Sequence, residues 1–114
     1  MTAYALAHLR RAPLHAEVLE YLERIQATLD PFGGRFIIHG GTVDVIEGDW
    51  PGDVVMIEFP DLTSARSWYG SRIYQELKPL RTRHLAGEVI LVEGVEPGHS
   101  SSQMAAELRQ ANGL

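Results

Sequence analysis

Glu58 is a carboxylic acid within an otherwise apolar segment, and in an extended chain it lies on the same side as Val54 and Met56. Desolvation by apolar neighbours raises the pKa of a carboxyl group, which makes Glu58 a candidate general base. The alternative is structural, because Glu58 would then form an ion pair with Arg35 or Arg81, or point into water.

His39 is the second candidate for a catalytic base. It stands directly before Gly40-Gly41, and glycines beside a polar residue let a ligand approach the backbone. Imidazole exchanges protons near neutral pH, which suits proton transfer. The alternative is a solvated histidine at the end of a strand. His8 occupies a similar position in the first apolar segment and is a candidate substrate-binding residue.

Four further side chains are candidates for holding a substrate. Tyr69 and Tyr74 are five residues apart in a helical region, so they can present their hydroxyl groups on a shared face. Arg81 can bind a carboxylate through two parallel hydrogen bonds, or can be a solvated charge at a helix end. Trp50 lies in a loop, where it either covers a pocket or packs on a partner subunit.

Composition and motifs exclude several other kinds of site. The chain has no cysteine, and its histidines lack the spacing of metal ligands. No glycine-rich phosphate loop or dinucleotide fingerprint is present. We therefore predict no metal and no tightly bound cofactor. The net charge of −5 argues against nucleic-acid binding. No apolar run reaches the roughly 18 residues of a membrane span, and the N-terminus is not typical of a signal peptide, so we predict a cytoplasmic protein without membrane contact.

The spacing of apolar residues predicts the elements that position these side chains. Strands are predicted at 3–9, 35–39 with a continuation at 42–47, 54–59 and 88–95, and helical regions at 14–30 and 61–81. This order is the βαββαβ plan of ferredoxin-like α+β domains, with a four-stranded antiparallel sheet. The domain is predicted to span 1–96, and 97–114 to form a flexible tail with a possible short helix.

The predicted sheet is apolar on both faces. Three strands, at 4–7, 54–57 and 89–92, show no alternation of apolar and polar residues, whereas a half-solvated antiparallel sheet alternates. Two helical regions can cover only one face. A second copy of the same sheet, related by two-fold symmetry, is the simplest cover for the other, so we predict a homodimer.

Several segments together resemble a bacterial family known only as domain-of-unknown-function family 1330. The resemblance covers roughly residues 3–95 and rests on the segments GGRFIIHGG, VDVIEGDW, VVMIEFPDLTSARSWYGSRIYQELKPLR and VILVEGV. It implies the dimeric α+β-barrel superfamily. It also implies a similarity, in fold only, to cofactor-free quinone-forming monooxygenases and to small muconolactone-type isomerases.

Three functions remain open from the residues alone. The first is a cofactor-free enzyme that transfers protons on a small organic or polyketide-like substrate, as an isomerase, cyclase, lactone-handling enzyme or monooxygenase. The second is a protein that binds or senses a small ligand without turnover. The third is a protein whose only task is assembly. Polar residues that line one cavity of about 300 Å³ or more would favour the first two.

Overall fold

The computed structural model describes residues 1–114 and contains one antiparallel sheet in the order β2-β3-β1-β4. The helices of the βαββαβ unit lie on one face of that sheet. The predicted ferredoxin-like α+β fold is therefore confirmed. Its elements are β1 (Ala3–Arg10), α1 (Ala16–Leu29), a 3-10 turn (Asp30–Phe32), β2 (Arg35–His39), β3 (Gly52–Phe59), α2 (Leu62–Gly70), α3 (Arg72–Leu77), α4 (Pro79–Thr82), β4 (Gly87–Glu93) and α5 (Ser101–Asn112).

Helix α1 begins at a side-chain cap and continues into a 3-10 turn that ends at Gly33. The His15 ring accepts a hydrogen bond from the Glu17 backbone N–H, which satisfies one of the free donors of the first turn. After the 3-10 turn, Gly33 adopts a φ of 70°, which favours glycine. The helix buries one stripe of side chains against the sheet, formed by Val18, Tyr21, Ile25, Thr28 and Leu29.

The region predicted as helical at 61–81 consists of three consecutive helices, with the predicted interruption at Gly70-Ser71 and a further one before Pro79. Asp61 caps α2 by accepting a hydrogen bond from the Ser64 backbone N–H at 2.7 Å. Ser71 has extended backbone angles and caps α3. Pro79 cannot donate a backbone hydrogen bond and begins α4. These breaks let the chain turn, so that α3 and α4 both contact α1.

Side chains alternate between the two faces of the sheet. Ala5, Ile57 and Phe59 point towards the helices and belong to the buried core, together with Trp68 and Tyr74. The other face carries no helix, and we call it the open face. It bears, among others, Tyr4, Leu6, Met56, Ile90 and Val92. Ile90 is 53% exposed and Val92 is 43% exposed, so this apolar face is uncovered in the single chain.

Residues 42–47 do not continue β2 as predicted. They belong to an irregular segment, residues 40–51, which we call the arm. The arm joins β2 to β3 and makes no hydrogen bond within the chain, either through its backbone or through its side chains. Ile46 is 82% exposed there. A strand needs a neighbour to bond with, and no other strand of the same chain lies beside this segment.

The C-terminal segment forms helix α5, which is longer than the predicted short helix. It begins at Ser100, whose hydroxyl accepts a hydrogen bond from the Gln103 N–H, and it buries no residue. Met104 and Leu108 remain about half exposed on it. No helix of the structure is both long and apolar enough to cross a membrane.

Deleting residues 99–114 should leave the rest of the chain folded, because α5 contributes nothing to the core. Circular dichroism should show a cooperative thermal transition for the truncated chain, close to that of the full chain. A truncated chain without such a transition would show that the tail belongs to the folding unit.

Candidate active site

A small, partly open cavity lies between the sheet and helices α1 to α4. Its volume is about 70 Å³, and most of its lining is apolar, including Ala5, Ile25, Phe36 and Trp68. The polar groups at its wall belong to Tyr21, Tyr74, Arg81 and His39. An apolar cavity with a few polar groups is the usual form of a small-molecule site. This cavity is smaller than the volume of about 300 Å³ expected for such a site.

Three side chains from three helices form the polar end of the cavity. The hydroxyl oxygens of Tyr21 and Tyr74 are 2.9 Å apart, within hydrogen-bond distance. Arg81 donates to the Tyr74 hydroxyl from Nη2 at 3.4 Å. Its guanidinium carbon also lies 5.7 Å from the centre of the Tyr21 ring, which is a cation–π distance. The breaks after α2 and α3 bring Tyr74 and Arg81 over α1.

Arg81 is a buried cation without an acidic partner. It is 6% exposed, whereas every ion pair of the structure involves other residues. A buried charge opposes folding unless it is paired, and the groups that face Arg81 here are the Tyr74 hydroxyl and the Tyr21 ring, neither of which is an anion. The place next to Arg81 is therefore suited to an anionic oxygen.

Tyr21 stays protonated at this end of the cavity. Burial raises its pKa, and the neighbouring Tyr74 hydroxyl raises it further. Because one of the two hydroxyls donates to the other, only the second has its proton free to donate towards a ligand oxygen. Tyr21 was missed as a site residue in the sequence, although a tyrosine within the apolar stripe of α1 signals a hydroxyl that must find a buried partner.

His39 lies where the cavity is open to the outside. It lines the cavity and also a wider outer cleft of about 370 Å³, which shares Leu9, Val18, His39, Val55 and Leu85 with the cavity. Its ring stacks on Phe36 with 4.1 Å between the ring centres. Desolvation lowers the pKa of His39, so the neutral imidazole prevails at neutral pH and can accept a proton.

A bulge in β2 brings Phe36 and His39 to the same face of the sheet. Phe36 pairs with Ile57, but Ile38 pairs with Met56, so the register shifts by one residue between them. Without this shift, residues three apart in a strand would point to opposite faces. The predicted interruption at Gly40-Gly41 lies after this bulge.

The prediction that Glu58 lines a pocket between sheet and helices, opposite Tyr69 or Tyr74, is wrong. Ile57 and Phe59 both enter the core, so the side chain between them must point to the open face. There Glu58 forms an ion pair with Arg35 at 2.8 Å. Its carboxylate cannot reach a ligand in the cavity through the sheet.

Two more predicted residues, His8 and Trp50, also lie on the open face. Their rings stack with 4.1 Å between the centres. The Nε2 atom of His8 is buried without a hydrogen-bond partner, while Nδ1 lies 3.8 Å from Glu88. Tyr69 does not line the cavity, and instead it packs against Trp68 and Tyr74.

A separate cluster joins the start of α1 to the chain after α4. Glu17 lies 2.7 Å from Nε2 of His84 and 3.0 Å from Arg83, and the rings of His15 and His84 stack. The hydrogen bond from His84 lowers the pKa of Glu17. His15, Glu17 and His84 place possible ligand atoms within 4.8 Å of one another. Both carboxylate oxygens of Glu17 already have partners, so the cluster connects the start of α1 to the chain after α4 through hydrogen bonds and ion pairs.

Comparison with solved structures finds the same fold at low sequence identity. A protein of unknown function from Rhodopseudomonas palustris, RPA0582, is 15% identical, with 84% of each chain covered and a TM-score of 0.64. A dimeric ferredoxin-like protein of unknown function from Jannaschia sp. CCS1 is 14% identical, with 82% of this chain and 100% of the other covered and a TM-score of 0.56. SnoaB, a cofactor-independent oxygenase from Streptomyces nogalater, is 16% identical, with 87% and 96% covered and a TM-score of 0.52.

No curated protein matches the chain. The family model described as "Domain of unknown function (DUF1330)" matches residues 2–95, which include the whole sheet and every residue of the cavity. The chain therefore belongs to the DUF1330 family and has its ferredoxin-like α+β fold.

Proposed function

We propose that this protein binds a small, mostly apolar organic molecule that carries or develops an anionic oxygen, and that it transfers a proton on this molecule without a tightly bound cofactor. The observation that carries the proposal is Arg81, a buried cation without an acidic partner at the wall of an apolar cavity. An anionic oxygen of the ligand would supply the missing countercharge.

The residues around the cavity divide into two roles. Arg81, with the one hydroxyl of the Tyr21–Tyr74 pair that does not donate to the other, would hold the oxygen on which negative charge develops, such as that of a carboxylate, phenolate or enolate. Neutral His39 at the open end would accept a proton from the ligand and return it at another atom. Isomerisation, cyclisation and the oxygenation of a phenol can each begin with such a proton removal, as can the opening of a lactone by elimination.

The size of the cavity limits how a ligand can lie in it. About 70 Å³ accommodates only the head of a ligand, whereas the adjoining cleft of about 370 Å³ has room for the rest. His39 lies between the two spaces. A ligand that enters from the cleft would place its oxygen at Arg81 and its remaining atoms beside His39.

The fold is compatible with this chemistry, since SnoaB, with the same fold, is a cofactor-independent oxygenase. Fold alone does not carry function, so the argument rests on the site. The alternative is a protein that binds or senses the same ligand without turnover. The buried charge of Arg81 is expected of an enzyme and of a binding protein alike. A neutral His39 that can accept a proton at the open end of the cavity favours the enzyme.

A matched ligand panel tests the proposal. Small aromatic and enolisable carboxylates should raise the melting temperature and bind in isothermal titration calorimetry, whereas their methyl esters and amides, similar in shape but uncharged, should bind much more weakly. Incubation of each binding enolisable carboxylate in deuterated buffer, followed by NMR, should reveal exchange at the carbon that bears the enolisable proton. Equal binding of acids and esters would contradict the role of Arg81, and binding without exchange would support the sensing alternative.

Glu58 could act as a base only on a ligand that lies on the open face. For a ligand that binds in the cavity, Glu58→Gln should leave affinity and proton exchange unchanged. It should alter stability by less than about 1 kcal/mol, since the ion pair with Arg35 is partly exposed. Urea denaturation and the exchange assay measure the two effects. A large loss of exchange in this variant would move the catalytic site to the open face.

We also propose that the protein is a homodimer through the open face. Its uncovered apolar residues would form a patch larger than monomers usually tolerate, and the Jannaschia protein of the same fold is dimeric. Light scattering at micromolar concentration should give twice the chain mass. A mass of one chain at that concentration would contradict the dimer.

A further inference from the structure

We infer that the outer cleft holds an apolar tail of the ligand against Leu14, so that the protein selects acids whose anionic head is followed by an apolar chain or ring too long for the cavity. This inference rests on the function proposed above. It adds the class of ligand and the residue that selects it. It also gives a role to the stacked rings of His15 and His84, which hold Leu14 beside the cleft.

Leu14 is an apolar side chain that the fold leaves uncovered. The spacing of apolar residues predicts it within the stripe of α1, but the helix begins only at Ala16. The residue between them, His15, has extended backbone angles and is the N-cap, so Leu14 does not continue the buried stripe. Leu14 is 74% exposed, whereas Val18, the next member of the stripe, is buried. A single exposed leucine is common on protein surfaces, so its position decides what it means.

The position of Leu14 points to a ligand. Leu14 lines the outer cleft of about 370 Å³ but not the cavity. The two spaces are continuous, and the residues that line both are mostly aliphatic: Leu9, Val18, His39, Val55 and Leu85. An apolar path therefore leads from the Arg81 end past His39 to Leu14. A ligand tail that follows this path would remove its own apolar surface and part of that of Leu14 from water.

The stacked rings of His15 and His84 hold Leu14 beside the cleft. Their centres are 3.6 Å apart and their planes differ by 15°. Leu14 precedes one ring and Leu85 follows the other, so the stack joins the two segments that bring these leucines to the cleft. The hydrogen bond between His84 and Glu17 reinforces the same contact. Neither histidine lines the cavity or the cleft, so both are positioning residues.

The lining of the cleft also limits the length of the tail. Arg11 and Asp53 lie in the same cleft, with 3.8 Å between Arg11 Nε and Asp53 Oδ1. Charged groups lose hydration when apolar surface covers them, which opposes binding. Once a tail has covered the apolar part of the cleft, further length should therefore gain no affinity. The expected ligand is an acid with a tail of limited length rather than a long-chain lipid.

A series of unbranched saturated carboxylates, from acetate to decanoate, tests the inference by NMR titration, which also measures millimolar affinities. Each added methylene that enters the apolar path should tighten binding about three-fold until the path is filled, after which affinity should level off. Leu14→Ser should leave acetate binding unchanged and weaken binding of the longest acids by about five-fold or more. Leu19→Ser is the matched control, because Leu19 is an apolar residue of α1, 43% exposed, that lines neither space. It should bind every acid as the natural chain does.

His15→Asn separates the histidine stack from the helix cap. Asparagine is a favourable N-cap, so the start of α1 should stay intact, whereas it cannot stack on the His84 ring as imidazole does. We expect this variant to lose affinity for the longest acids, as Leu14→Ser does, and to bind acetate unchanged. Natural affinity for the long acids in His15→Asn would overturn the positioning role of the stack.

The same titrations distinguish failure of this inference from failure of the proposed function. Acids of every length that bind equally well to the natural chain would overturn the selection of a tail and leave the site at Arg81 intact. A full gain with tail length in Leu14→Ser would overturn Leu14 as the residue that selects it. Absence of binding for acids of every length would overturn both this inference and the proposed function.

Discussion

Arg81→Met should remove the affinity for anionic ligands and leave the chain folded. The substitution keeps the length and much of the volume of the side chain but deletes the buried cation. Loss of one member of a buried charge pair weakens binding by about 2 kcal/mol or more, which corresponds to at least about 30-fold. Isothermal titration with the best carboxylate of the panel measures this loss. Binding of the neutral ester should change little, because it makes no ion pair with Arg81.

Thermal stability separates this role from a structural one. In the free protein the Arg81 charge is buried without an acidic partner, so its removal should preserve or raise the melting temperature. A structural arginine would instead destabilise the chain when replaced. Arg72→Met is the matched control, because the Arg72 side chain is 92% exposed and pairs only with Glu76 on the same helix. Unchanged carboxylate affinity in Arg81→Met would refute the proposed site.

His39→Gln should lower the rate of proton exchange on a bound ligand by about 10²-fold or more, as expected for the loss of a general base. Affinity should change much less, since His39 lies at the open end of the cavity and Arg81 holds the oxygen. Kinetics on the binding carboxylate, with affinity measured separately, give the two effects. His99→Gln, which changes a histidine outside the cavity and the cleft, is the control and should behave as the natural chain.

The pH dependence of the natural chain provides an independent check on His39. Desolvation places its folded-state pKa below the usual value of about 6.5. The neutral base therefore persists at neutral pH, and activity should fall only when the pH drops through that lower pKa. If activity instead falls around a pH above the usual histidine pKa of about 6.5, a different group accepts the proton.

The lowered pKa of His39 should also make the free energy of unfolding depend on pH. Below the unfolded pKa of about 6.5, the unfolded chain binds a proton on His39 more readily than the folded chain. The contribution of His39 to stability therefore becomes unfavourable as the pH falls through that value towards the folded pKa. His39→Gln should lose less stability between pH 7 and pH 5 than the natural chain, as measured by urea denaturation at each pH.

The sequence by itself determined the fold, because the signals for its elements are local. The three- and four-residue spacing of Leu14, Val18, Leu22, Ile25 and Leu29 predicts α1, and short apolar runs predict four strands. Asp61 and Ser71 are recognisable as caps because a cap acts within its own turn. The order of these elements leaves few topologies open, and the observed sheet is the expected one.

Only the tertiary structure decided which predicted residues share a site. Glu58 and its neighbours Ile57 and Phe59 lie in a strand that is apolar on both faces, so the sequence held no signal for the face that the helices cover. The bulge in β2 depends on pairing with β3 and brings His39 to the cavity. These are long-range effects, absent from the spacing of residues along the chain.

The polar end of the cavity likewise depends on packing that the sequence alone does not predict. Tyr74 and Arg81 were recognisable as candidates, but Tyr21 appeared only as part of an apolar stripe. The packing of α3 and α4 on α1 places the Tyr21 and Tyr74 hydroxyls 2.9 Å apart, although they are 53 residues apart in the chain. Likewise, the arm reads as a strand because its residues favour one, whereas a strand forms only where a neighbour accepts its hydrogen bonds. Local chemistry thus determined the elements, and long-range packing decided which side chains meet and which edges remain free.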